Sequence, residues 1–227
     1  MECINKLTKK VVFARGSDAW LSRRSHNITA TEVASLVGLN PYKSAPELLR
    51  QKLGTIRRLP PNPAMRRGHI LEKAVGEAVL YDLDWPVGFY EEGDDIIYYE
   101  VPSKRISATP DAFVTVDGKQ ALLECKTVRL ESFDKWSFAP PFYYLTQLLT
   151  QIYVMGTDEG YIAGLGAGDP FPLTVFHMKY SEEAMNLLIT QVEKFWYAIG
   201  NDEKYVTPRG MGKKIQELLV PLLTRVQ

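Results

Sequence analysis

The sequence predicts an α/β protein in which a mixed central sheet is flanked by helices, with a helical region at the N-terminal end. Three observations predict it. Apolar residues recur at helical spacing over residues 64–82 and again after Ser181. Between these stretches the period shortens, and IIYYEV (96–101), RISAT (105–109), AFVTV (112–116) and QALLECKTV (120–128) read as strands. Turn chemistry marks the boundaries, most sharply at Asp117-Gly118, a two-residue hairpin signal.

Taken in order, residues 1–63 read as short helices. Thr29-Ala30-Thr31-Glu32 has the spacing of a capping box, and Val33, Leu36 and Val37 follow as an apolar stripe. Ser44-Ala45-Pro46-Glu47 repeats the start signal, and Gly54 suits the stop. The stretch Leu59-Pro60-Pro61-Asn62-Pro63 is a rigid break. The helix over 64–82 carries Leu71, Val75, Ala78 and Val79 on one side. After the strands, helix returns over 142–155, followed by strands near 160–166 and 173–180. Ser181 opens a further helix with Glu182 and Glu183 in its first turn, where acids suit the helix dipole. That helix turns Met185, Leu188, Val192, Phe195 and Ile199 inward and stops at Gly200. A C-terminal helical segment is disturbed by Pro221. The expected organisation is one domain over 1–227: a helical region (1–63), a core (64–180) and C-terminal helices (181–227).

Composition narrows the class. Hydrophobic residues make up 45% and charged residues 24%, ordinary values for a globular chain. No run of eighteen apolar residues exists, and MECINKLTKKVVF lacks the apolar centre of a secretory signal. Two cysteines, Cys3 and Cys125, are too few for a cysteine-rich zinc or iron–sulfur site, and a reducing cytoplasmic setting is expected. The net charge of zero divides unevenly. Residues 1–70 carry 13 Lys/Arg against 4 Asp/Glu, whereas residues 71–111 carry 3 against 10. A basic third beside an acidic middle suits a protein that grips a polyanion and holds cations nearby.

The chemistry concentrates in Thr109 to Thr127. Glu124 and Lys126 stand two apart on one strand, so both side chains leave the same face. The turn at Asp117-Gly118 folds that strand back along its neighbour, bringing Asp111 beside Glu124. Two buried like charges are costly without a partner. Two carboxylates and the backbone carbonyl of Cys125 form a hard oxygen set suited to Mg²⁺ or Mn²⁺. Such an ion lowers the pKa of water and stabilises a phosphate in transfer. Lys126 would orient or deprotonate the water, with a pKa expected to fall beside the cation. An edge hairpin with solvent-facing Glu and Lys is the plainer alternative.

These residues resemble the PD-(D/E)xK nuclease fold, and more narrowly the phage lambda exonuclease / YqaJ-type viral recombinase family. Four blocks carry the likeness: GSDAWLSRRSHNITATEVASLVG (16–38), RRGHILEKAV (66–75), SATPDAF with LLECKT, and YYLTQLLTQIYVMG (143–156). The resemblance implies a restriction-endonuclease-like core and a two-ion Mg²⁺ site, with Mn²⁺ as a substitute. Its metal ligands would be Asp111, Glu124 and the carbonyl of Cys125, with Glu72 as an additional acid, Lys126 as the catalytic lysine and Gln147 at the site. It implies a pocket for a 5′-terminal phosphate at Arg24, Thr31 and Thr109. Arg binds phosphate bidentately, and hydroxyls at a helix start donate where an anion is favoured. It further implies 5′→3′ degradation of double-stranded DNA ends for recombination, a single-strand annealing protein as partner, and a homotrimeric ring.

One departure is visible. The family often shows Gln-x-Gln in its last helix, whereas here the second amide is Gln151, on the same helical face as Gln147. Gln151 reads either as a site residue or as a core-edge polar group. His26 and His177 lie far apart and read as ordinary polar residues; His69 adjoins Arg66-Arg67 and Gly68 near the expected DNA path. Trp20 reads as core. Trp136 and Phe138 fall in a loop-like stretch, as base-stacking groups or as helix-docking contacts. The competing functions are an endonuclease on the same fold and a non-catalytic DNA-end-binding module.

Overall fold

The computed structural model describes residues 7–56, 60, 62–90 and 95–226. Cys3, and Leu59 and Pro61 of the proline-rich break, lie outside them. The chain runs β1 (Lys9–Ala14), α1 (Asp18–Ser25), β2 (Ile28–Thr29), α2 (Ala30–Leu36), α3 (Ala45–Lys52), α4 (Pro63–Leu83), β3 (Val87–Phe89), β4 (Asp95–Val101), β5 (Ile106–Ala108), β6 (Ala112–Val116) and β7 (Lys119–Arg129). It continues with α5 (Leu130–Phe138), α6 (Phe142–Met155), β8 (Glu159–Ala167), β9 (Leu173–Lys179), α7 (Glu182–Gly200), α8 (Met211–Leu219) and β10 (Leu223–Arg225). This is the α/β class expected, with helices flanking mixed sheets, but the strands form two sheets.

The larger sheet has the order β10-β9-β8-β7-β6-β3, and the smaller β1-β4-β5-β2. Among the described residues, only β7 and β8 pair in parallel within the larger sheet, and only β2 and β5 within the smaller. The N-terminal region is therefore not purely helical. β1 pairs with β4, and β2 with β5, so residues 9–14 and 28–29 complete a sheet begun by the middle of the chain. Val11, Val12 and Phe13 have strand propensity, but a strand so short becomes legible only through its partner. β10 after Pro221 was equally unforeseen and pairs with β9. Residues 130–138, expected as loop, form α5.

Local signals account for most boundaries. Glu32 accepts the Thr29 backbone N–H at 3.0 Å, and Glu47 that of Ser44 at 2.8 Å, so both capping boxes form. Gly54 follows α3 at φ 73°. Asp117 and Gly118, at φ 49° and 76°, make the tight turn between β6 and β7.

Side chains of β7 alternate between two hydrophobic layers. Leu122 and Val128 face a core that includes Leu145, Leu148 and Leu149 of α6. Ala121, Leu123 and Cys125 face Val75 and Val79 of α4. α6 packs against β4 and β5 of the small sheet as well as β7 and β8 of the large one. A helix wedged between two sheets is buried almost all round, which is why apolar residues occupy most of its faces. Its polar residues Gln147 and Gln151 are buried too and must find partners inside. Among the described residues no helix is long and apolar enough to cross a membrane.

Candidate active site

The partner of both glutamines is Glu124. It leaves β7 toward α6 and is 1% exposed. Its Oε1 accepts from Gln147 Nε2 and Lys126 Nζ, and its Oε2 accepts from Gln151 Nε2 at 2.6 Å. Strand and helix periodicities meet here: Glu124 and Lys126 are two apart on β7, Gln147 and Gln151 four apart on α6. Gln151, left open in the sequence, thus stands on equal terms with Gln147. Tyr144, one turn before Gln147, lies under the lysine, whose Nζ is 4.9 Å from the ring centroid.

Asp111 enters from the other side. The β6–β7 ladder ends at Ala112 opposite Leu123. One residue earlier, Asp111 Oδ2 takes the place of a backbone acceptor and receives the Cys125 N–H at 2.9 Å. The Asp111 carbonyl accepts the Tyr90 N–H at 3.2 Å, so both ends of the residue are tied to backbone. Glu72 approaches from α4, and its charge is felt by Asp111.

Burial, then the charge of Glu124, then that of Glu72, push the Asp111 carboxyl well above the usual carboxylate range, with Lys126 opposing. For Lys126, burial alone would lower the ammonium, but Glu124 and Asp111 outweigh it and hold the lysine above its ordinary value. The lysine is thus raised chiefly by the two carboxylates, and the lowering expected beside a cation belongs to a site that also holds the ion. Burial also pushes up the Cys125 thiol. Its side chain lies in the apolar layer under α4, so only its backbone offers a ligand.

The donors fit a hard divalent cation. They are carboxylate oxygens, and a positive charge would relieve the mutual repulsion that raises Asp111. Among the described residues no three His, Cys, Asp or Glu side chains converge as a metal cage. Carbonyl and water oxygens must complete the shell, as is ordinary for Mg²⁺.

Of the proposed phosphate residues, Thr31 and Thr109 lie at one end of the small sheet. Parallel pairing of Ile28 with Ile106 and Thr29 with Ser107 carries Thr31 and Thr109 out at the same end, with Asp111 two residues farther on. Thr31 is exposed in the first turn of α2, its Oγ1 3.0 Å from Thr29 Oγ1. Arg24 sits in the last turn of α1, its guanidinium 4.8 Å from the Trp20 ring centroid. Its charge reaches Glu32, the neighbour of Thr31.

Two ion pairs built on buried side chains here had no sequence signal. Glu100, 1% exposed, is gripped by Arg23 through Nε at 2.8 Å and a second nitrogen, and by Asn27 at 3.1 Å. Lys52 pairs with Glu32 at 2.8 Å.

The remaining candidates are dispersed. His26 caps α1 through Ser22, 2.8 Å away, and His177 pairs with Glu159 at 2.8 Å on a different sheet. His69 lies 3.8 Å from Glu72 and 3.5 Å from Arg15. Trp136 is buried in α5 over Gly164 of β8, so it is a docking contact, whereas Phe138 is exposed.

The comparisons follow this geometry. The family described as YqaJ-like viral recombinase domain matches residues 19–158. The chain is 22% identical over 182 residues to the uncharacterized protein YqaJ of Bacillus subtilis (strain 168), covering 79% of this chain and 55% of that protein. It thus spans about half the length of that curated relative. Its fold is similar to an alkaline exonuclease from Laribacter hongkongensis, with a TM-score of 0.60 and 21% identity over 89% of this chain and all of the other. A phage-related exonuclease from Haemophilus somnus 129PT shares the fold with a TM-score of 0.52 and 12% identity, over 85% of this chain and 96% of that one.

Proposed function

The chain belongs to the YqaJ-like viral recombinase domain family, and on that premise we propose that it is a metal-dependent deoxyribonuclease degrading double-stranded DNA ends in the 5′→3′ direction. The observation that carries the reading is Glu124, a buried carboxylate held by Lys126, Gln147 and Gln151, with Asp111 across from it. Two of the similar folds are those of exonucleases, and one of these enzymes has been solved in complex with dAMP.

Asp111, Glu124 and the Cys125 carbonyl, with Glu72 in support, would hold two Mg²⁺ ions, or Mn²⁺ in their place. Bound there, the ions would supply positive charge to the scissile phosphate and acidity to the attacking water. Gln147 and Gln151 fix the Glu124 carboxylate so that its oxygens keep one orientation. Lys126, bonded to Glu124, offers N–H donors suited to orienting the attacking water. Arg24, Thr31 and Thr109 would bind the 5′-terminal phosphate two residues from Asp111, setting the cut by distance from the end. One nuclease domain would span 1–227 and act in the cytoplasm on linear duplexes. A homotrimeric ring and a single-strand annealing partner complete the proposal.

The test is a product time course on 5′-phosphorylated and 5′-hydroxyl linear duplexes with Mg²⁺, alongside Lys126→Ala. Mononucleotide release from the phosphorylated end, lost in Lys126→Ala, is expected. Equal rates on the two ends would remove the phosphate pocket. Comparable cutting of covalently closed circles would replace the exonuclease with an endonuclease. A monomeric mass by light scattering would remove the ring.

A further inference from the structure

Lys52 is a buried cation to which the proposed chemistry gives no task; its side chain is 3% exposed. An ammonium has three protons, and each finds an acceptor on a different segment. Nζ donates to the Arg24 carbonyl at 2.8 Å, to the Asn27 carbonyl at 2.7 Å and to Glu32 Oε2 at 2.8 Å. The same Glu32 oxygen accepts the Thr29 N–H at 3.0 Å. One ion pair thereby ties the end of α1, the turn into β2, the start of α2 and the end of α3. Two of the tied points adjoin the proposed phosphate pocket: Arg24 is held through its own carbonyl, and Thr31 immediately precedes Glu32. Glu32 also faces the Arg24 charge.

We propose that the buried Glu32–Lys52 pair positions Arg24 and Thr31 for the 5′-terminal phosphate, and so sets discrimination between phosphorylated and unphosphorylated ends. The inference rests on the phosphate pocket of the preceding reading. Stability alone does not call for such a pair, because well-packed apolar residues often replace a buried ion pair without loss. What apolar residues cannot supply is three directed bonds that fix a helix end and a helix start relative to one another. The pair acts through Arg24 and Thr31 and touches neither the cleaved bond nor Glu124.

The experiment determines KM and kcat on 5′-phosphorylated and 5′-hydroxyl linear duplexes. It compares the parent, Arg24→Ala, Lys52→Met, the double variant Glu32→Gln/Lys52→Met, and that double variant combined with Arg24→Ala. The double variant avoids the stranded carboxylate that could unfold Lys52→Met. It is expected to raise KM for phosphorylated ends at least tenfold, to leave kcat within twofold, and to leave hydroxyl ends unaffected. Combined with Arg24→Ala it is expected to add no further loss, since both changes disable one pocket. Equal losses on both kinds of end, a fall in kcat, or a parental KM in the double variant would overturn the proposal while the pocket stands. Unaltered discrimination in Arg24→Ala would overturn the pocket itself, and this proposal with it.

Discussion

At the scale of single residues the site concentrates like charge and then manages it. Asp111, with a carboxyl raised by burial and by Glu124, favours the folded state while protonated. Its contribution is lost as pH rises from the ordinary carboxylate range through the raised folded value. Asp111→Asn removes that repulsion and keeps an acceptor for the Cys125 N–H. It is therefore expected to stabilise the cation-free chain by about 1 kcal/mol while abolishing hydrolysis; a lower Tm than the parent in EDTA would refute this. Glu32 shows the opposite sign. Burial would raise its carboxyl, but Lys52 and Arg24 hold it down to about 2 against an ordinary 4.5. Its contribution is complete above about 4.5 and is lost as pH falls toward 2. The Glu32→Gln/Lys52→Met chain should therefore lose less stability than the parent across that acid range, read by urea melts at several pH values. At this scale Asp111, Glu124 and Lys126 were legible because strand period and a tight turn place them. Lys52 was not, because a lysine in a helix's last turn ordinarily faces water.

At the scale of elements, close approach decides. α4 crosses the large sheet where Gly76 faces β3, and a Cβ there would stand 2.6 Å from Phe89 Cζ and 3.0 Å from Val87 Cγ1. Gly76→Val should cost about 1–3 kcal/mol through overpacking. It should weaken activity as well, because α4 also carries Glu72; an unchanged Tm would show that α4 has room to shift. α6 makes a complementary case. Its helical extent over 142–155 was readable from the apolar run, but its place between two sheets was not. That place turns Gln151 from a core-edge amide into a partner of Glu124. Gln151→Leu strands a carboxylate oxygen, at a cost of about 1–3 kcal/mol, and should lower kcat more than KM in the DNA assay. Similar losses in both would make Gln151 a packing residue only.

For the whole molecule, the uneven charge matters more than the zero sum. Thirteen of the basic residues lie in the first 70 positions, the part that carries Arg24. Association with duplex ends should weaken steeply between about 50 and 200 mM salt as displaced counterions are regained. A flat salt profile in an end-binding titration would argue against a basic grip. Divalent cation should stabilise the parent by mass action, by about 2.7 kcal/mol at a hundred times Kd, and so raise its thermal midpoint, while leaving Asp111→Asn nearly unmoved. An equal shift in both chains would place the ion elsewhere.

The sequence alone determined the α/β class, most element boundaries, both capping boxes and the trio Asp111, Glu124 and Lys126, because each depends on periodicity or turn chemistry acting over a few residues. Tertiary structure alone decided the rest. It set β1 and β2 into a second sheet, lodged α6 between the two sheets, joined Gln151 to Glu124 and buried Lys52 against Glu32. Those outcomes depend on which distant segments meet, and on the need of every buried polar group for a partner, which no local pattern encodes.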